Sequence, residues 1–265
     1  MFSSQLTGSE PIYHDGHPLP MFTPPGQSTG LTLPMSHSAE GYNYAGVATP
    51  FPASMLIPRS EWQARIEERQ ERKTRSRDLI DQAGLPCLDQ NGTSFCWINA
   101  PVYCLQSQRV RQNQELVLLS PASAGAPIKN FRNVGGWGLE GLQWLSEKGC
   151  CPVSVWPANA IQRSYYTEAN KTLALNYRVL EWWELRPRNL DEQVSCLLHG
   201  IEYASGRNRW SHETTDVDAL WLDGAIAILG RNSWGMGWGD KGYFIMQGNQ
   251  MMSDDSVAIA HALAS

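Results

Sequence analysis

The pair Cys96-Trp97, with Gln90 just upstream, is the first group in this chain whose residue types and spacing suggest chemistry. Ser94 reads as a cap, and Cys96 to about Gln114 is expected to form a helix that opens at the cysteine. A thiol at that position feels the positive end of the backbone dipoles, which favours thiolate, the nucleophilic form. An ordinary thiol is only a few per cent ionised at neutral pH, so it needs activation. Pro101 removes one backbone hydrogen bond within this helix and predicts a bend. A second group runs Arg231-Asn232-Ser233-Trp234-Gly235-Met236-Gly237-Trp238-Gly239-Asp240-Lys241-Gly242-Tyr243. Its glycines, interleaved with Trp234 and Trp238 and followed by the apolar Tyr243 to Met246, describe a tight turn that carries aromatic planes and feeds a strand.

Taken together, Gln90, Cys96-Trp97 and Asn232-Ser233-Trp234-Gly235, in this order and at this separation, resemble the papain-like cysteine peptidases over roughly residues 85–265. The resemblance implies a Cys-His-Asn site in which Cys96 attacks a peptide carbonyl, a histidine upstream of Asn232 takes the thiol proton, and Asn232 orients it. His212 is the histidine in that place, with His199 the next candidate. Gln90 and the backbone N–H of Cys96 are expected to donate to the oxyanion, a role worth on the order of 10² to 10³ in rate. Trp234 is expected to shield the His212–Asn232 contact, and Trp238 to line the leaving-group side. Gly135 and Gly136 match the paired glycines along which an extended substrate backbone lies in this family, and glycine permits that approach. Trp137 should narrow the adjacent pocket, and Glu213, following His212 where relatives carry alanine or glycine, should favour a basic substrate side chain.

The chain departs from the family at other places. Thr93 stands where relatives usually have a disulfide cysteine, so that bridge cannot form, in keeping with a reducing compartment. Ser94 replaces a glycine, and Phe95 replaces a small residue and is expected to crowd the cleft.

The fold expected around these residues is α+β: a papain-like, two-lobed domain with a helical lobe (85–165) and an antiparallel β lobe (166–265), preceded by an extended N-terminal arm. That arm, residues 1–58, is rich in proline, glycine, serine and threonine and cannot bury enough surface to order itself alone, so a disordered tail is expected for the isolated chain, and an ordered arm where neighbouring molecules of a large assembly hold it. Residues 60–82 predict one long polar helix, with a capping pattern at Ser60 and Gln63 and charge pairs Glu68–Arg72 and Glu71–Arg75. It is too short and too polar for an inhibitory propeptide, and no zymogen switch is expected. Helices are further predicted over 139–148 and 190–199. Strands are predicted over 217–222, 225–229 and 243–246, with Asp223-Gly224 as a hairpin turn.

A net charge of −5 gives no electrostatic footprint for nucleic acid. No apolar run approaches the ~20 residues of a membrane span, and the charged start of a secretory signal is missing. The setting expected is therefore cytoplasmic or particle-associated. No cofactor is implied, and metal-binding spacings are absent from the sequence. Polypeptide substrates follow from the resemblance, with protein partners considered for the arm and the 60–82 helix. The competing reading is a structural or assembly protein on a papain-like scaffold, such as a virion component; a carbohydrate- or peptide-binding module has only the tryptophan content behind it.

Overall fold

A computed structural model describes residues 8–15, 24, 26–32 and 48–264; the remaining residues of the arm, and Ser265, lie outside the described set. In chain order the elements are β1 (Ile12–Tyr13), β2 (Thr49–Pro50), α1 (Arg59–Glu71), α2 (Ser76–Ala83), α3 (Cys96–Arg111), α4 (Pro121–Ile128), α5 (Gly138–Glu147) and α6 (Glu168–Ala174). Then follow β3 (Val179–Leu185), α7 (Leu190–Leu198), β4 (Tyr203–Arg207), β5 (His212–Leu222), β6 (Ala225–Arg231), β7 (Tyr243–Gln247) and β8 (Asp255–Ala262).

The strands form one sheet in the order β1-β7-β6-β5-β4-β8-β3-β2. Its centre is antiparallel, but both edge pairings, β1 with β7 and β2 with β3, are parallel. These edge strands belong to the arm. Its described parts are thus held against this chain, through the sheet edges and the buried ion pair of Arg77 with Glu10.

Alternate strand residues face opposite sides, so the sheet separates two cores. Val217, Leu229, Ile245 and Val257 pack on the side of α3. Ala219, Ile228, Phe244 and Ala258 pack with Trp62 and Ile66 of α1 and Val194 of α7. Buried residues run from Cys96 through Arg109, which makes α3 the central helix of the molecule. Pro101 is accommodated there because Gly141 of α5 packs closely on Trp97 O and the proline ring.

The single helix expected over 60–82 is two helices. Lys73 takes a left-handed conformation (φ 54°) and breaks the run. The buried carboxylate of Asp218 on β5 then accepts from the first amides of α2, Ser76 N at 2.9 Å and Arg77 N at 2.8 Å. Such a capped restart satisfies donors that would otherwise be orphaned. The Glu68–Arg72 pair forms, whereas Arg75 pairs with Asp78 instead of Glu71, and α1 starts after Pro58 with no side-chain cap. In the second half, the Asp223-Gly224 turn has positive φ at both residues, as a tight hairpin requires, and β5 begins at His212, earlier than expected.

Candidate active site

Cys96 is the first residue of α3, fully buried, with Phe95 rather than Ser94 at the N-cap. The Phe95 ring does not crowd the cleft. It turns into the core against Trp97, edge to face at 5.9 Å, and over Gly125, where a Cβ would come within 3.1 Å of it.

His212 opens β5 and Asn232 follows β6 in the next strand, which places the two side chains together. His212 Nε2 is 2.8 Å from Asn232 Oδ1, and the same oxygen accepts from Ser233 N at 2.8 Å. Since Oδ1 is an acceptor, Nε2 carries the proton and Nδ1 keeps its lone pair. Nδ1 is buried and makes no hydrogen bond to Cys96 or to any other described group. Trp234 stacks on the imidazole (4.6 Å between centroids, 21° between planes), and Trp238 packs edge-on against Trp234. A third tryptophan, Trp210, meets the His212 ring edge-on at 4.9 Å. Sequence reading missed Trp210, which lies on the turn between β4 and β5; its position two residues before the histidine was the one available signal. His199 lies elsewhere, at the end of α7 against Met55 O.

Gln90 is buried and tied to the Asn232 loop. Its Oε1 accepts from Ser233 Oγ at 2.6 Å, and its backbone amide donates to Ser233 O at 2.8 Å. Its side-chain N–H donates to Thr93 O and, at 2.6 Å, to Ser28 O.

Ser28 belongs to a segment of the arm that lies over the site. Gln27 bonds Asp89, and Ser28 Oγ donates to Thr93 O. Gly30 O accepts from Gly136 N at 2.9 Å, Thr32 N donates to Gly136 O at 2.8 Å, and Leu31 runs parallel to Gly136. Of the two glycines selected as a substrate edge, Gly136 therefore does bind an extended backbone, supplied by this chain, and Gly135 packs closely against it. The fit is close: a Cβ on Gly30 would come within 2.1 Å of Ser94 O, and one on Gly135 within 2.3 Å of Gly30 O. Residues 26–32 thus form a strap over Cys96. The expectation of no inhibitory segment looked to the 60–82 helix, whereas the occluding residues lie further upstream.

The electrostatics are those of a closed, neutral site. Burial, and secondarily the Glu213 carboxylate, push the Cys96 thiol up to about 12, against the backbone amides of Glu213, Gly30 and Trp97, which favour thiolate. Burial lowers His212 to about 4, against its bond to Asn232. Thiol and imidazole are both uncharged near neutrality in this form. Trp137 caps α5 beside the glycines, half-buried, and Glu213 is buried behind Gly138. Among the described residues no cluster could hold a metal ion, and no helix is long and apolar enough to cross a membrane.

No family model matches the chain. It is 24% identical over 202 residues to digestive cysteine proteinase 3 of Homarus americanus, covering 66% of this chain and 60% of that protein, so it spans rather less than two thirds of its relative's length. Among solved structures, it superposes on xylellain, a cysteine protease from Xylella fastidiosa, with a TM-score of 0.59 at 18% identity, covering 88% of this chain and 96% of that one. Digestive procathepsin L 3 of Tenebrio molitor matches with a TM-score of 0.58 at 14% identity over 88% of this chain and 75% of that one. The chain has the α+β fold of papain-like cysteine peptidases, and the resemblance carried by its motifs holds across the domain.

Proposed function

We propose that the chain is a papain-like cysteine endopeptidase acting on polypeptides. Support comes foremost from the His212–Asn232 pair: the orienting bond holds the proton on Nε2, leaves Nδ1 as a free base, and is roofed by Trp234. In this reading His212 Nδ1 takes the Cys96 proton, and Sγ attacks the scissile carbonyl. The oxyanion that forms is held by the Gln90 amide, the group that now holds Ser28 O. As the C–N bond breaks, His212 returns the proton to the leaving amine, and water then hydrolyses the thioester to restore the thiol. The strap must leave first, because it holds the Gln90 donor and the glycine edge.

The second reading, a scaffold or assembly protein without activity, is favoured by one observation, the full burial of Cys96 beneath the strap. A cytoplasmic or particle-associated setting is proposed on sequence alone.

The two readings part on intact-mass analysis after brief exposure to a peptidyl epoxide, using the full chain with Gly30→Ala to open the strap. A single adduct that disappears in both Cys96→Ala and His212→Ala backgrounds is expected. Labelling no faster than that of the other cysteines, or independent of His212, overturns the peptidase reading.

A further inference from the structure

The Thr93–Ser94 peptide, just ahead of Cys96, is gripped at both ends. Its carbonyl, Thr93 O, accepts from the Gln90 side-chain amide at 2.9 Å and from Ser28 Oγ of the strap at 2.5 Å. Its N–H, on Ser94, donates to Asn133 Oδ1 at 2.6 Å. The other half of the same side chain, Asn133 Nδ2, donates to Gly92 O at 3.0 Å. Asn133 therefore ties both peptide groups that flank Thr93, the position at which the family's bridging cysteine is missing. A primary amide, with donor and acceptor side by side, can meet such a carbonyl and N–H together, whereas a carboxylate can meet only the N–H.

The side-chain amide of Gln90 has two hydrogens, one held by Thr93 O and the other by Ser28 O. When the strap leaves, the second is free to face an oxyanion, and Ser28 Oγ no longer helps to hold Thr93 O. The direction of that donor is then set by Ser233 Oγ on Gln90 Oε1 and by Thr93 O on Nε2. Thr93 O is in turn aimed by Asn133, from the far end of its peptide. Bonds in such a run polarise one another in the same sense. Asn133 also lies three residues before Gly136, so it joins the loop that carries Cys96 to the glycine edge. The strap now spans the same gap, with Ser28 on one side and Gly30 and Thr32 on the other. Without it, the Asn133 bonds are the ones that join residues 90–96 to residues 130–137 among the described residues. Asn133 and Gly92 are exposed and Ser94 is half-buried, so water can replace the lost partners and the fold does not depend on this side chain.

We propose that Asn133 is a positioning residue for the Gln90 donor, acting through the Thr93–Ser94 peptide once the strap has left. The catalytic consequence rests on the peptidase reading above; the hold on Gln90 does not. Both are tested in the full-length Gly30→Ala chain. By amide NMR, Asn133→Ala should speed exchange of the Ser94 N–H about tenfold and shift the side-chain NH2 pair of Gln90. Asn133→Asp, which keeps an acceptor for Ser94, should show smaller changes of both. A Ser94 exchange rate or a Gln90 pair unchanged in Asn133→Ala overturns the proposal. In steady-state kinetics on one peptide, Asn133→Ala should lower kcat by about tenfold with KM within about twofold, and Asn133→Asp should recover part of the loss. In a chain that already carries Gln90→Ala, adding Asn133→Ala should cost less than about twofold, because the donor it serves is gone. An equal loss with and without Gln90 makes Asn133 a general support of the loop and overturns the proposal, as does a loss confined to KM. Ser94 and Gln90 signals that move in a chain cleaving no peptide keep the hold on Gln90 and remove the peptidase reading.

Discussion

His212 and Asn232 are joined ring nitrogen to amide oxygen at 2.8 Å, and both side chains are buried. A charged imidazole here would lack the water that stabilises it in solution, so the contact orients the ring rather than keeping it protonated. On the peptidase proposal, removing His212 from the strap-opened chain should cost on the order of 10² to 10⁴ in kcat, the usual worth of a general base. Asn232→Ala should cost less and should act on kcat more than on KM, because it loosens the ring without touching substrate. Steady-state kinetics on one peptide with the two variants tests this ordering.

The same imidazole sets an acid limit on stability. Its pKa falls from an ordinary 6.5 to about 4 on folding, so the folded chain binds fewer protons than the unfolded chain in the window between those values. His212 therefore contributes no penalty above about pH 6.5, and stability is lost as the pH falls from there towards 4. Asp218, raised to about 6 by burial, works in the opposite sense, favouring the fold as pH falls. Thermal unfolding of wild type and His212→Gln across this range isolates the histidine: the wild type should lose more Tm on acidification than the variant.

Asp218 also joins two parts of the fold, since it holds the first amides of α2 from the middle of β5. Asp218→Ala should destabilise the chain by about 1 to 3 kcal/mol through lost caps and unpaired buried amides. Asp218→Asn should recover part of the loss, because its remaining carbonyl still accepts. Urea unfolding with an unchanged m-value would confirm a stability effect without a change of compactness.

The candidate site residues were legible because their types are constrained and their order is unusual. His212 pairs with Asn232, Gln90 is tied to the Asn232 loop through Ser233, Cys96 opens α3 without a hydrogen bond to His212, and the Asp223-Gly224 hairpin follows from turn chemistry alone. What escaped reading depends on contacts between distant segments. Asp218 ends the expected 60–82 helix from across the fold, and nothing local to Lys73 announces that break. Phe95 was expected in the cleft because its neighbour Cys96 is there, but Gly125, remote in sequence, opens a core site for its ring. The arm looked unable to order itself, which composition does support; its described parts are ordered by sheet edges and by the glycines of the cleft, a partner outside its own sequence.

The strap gives the last prediction. Gly30 is packed so closely that an alanine Cβ would come within 2.1 Å of the Ser94 carbonyl oxygen, a backbone atom that cannot swing aside. Gly30→Ala should therefore lift residues 26–32 while leaving the core of the domain in place. A shift of about 1.4 kcal/mol in the closing equilibrium would open the site tenfold more often, and alkylation of Cys96 should accelerate by at least that factor. The pH profile adds a second signature. With the strap closed and the thiol pushed up to about 12, the thiolate fraction rises roughly tenfold per pH unit through neutrality, and labelling should rise with it. With the strap open, water reaches the site and the Cys96 thiolate can be stabilised by His212, so labelling should level off well below that value. Identical steep profiles for both chains would mean that burial by the strap is not what keeps the thiol neutral.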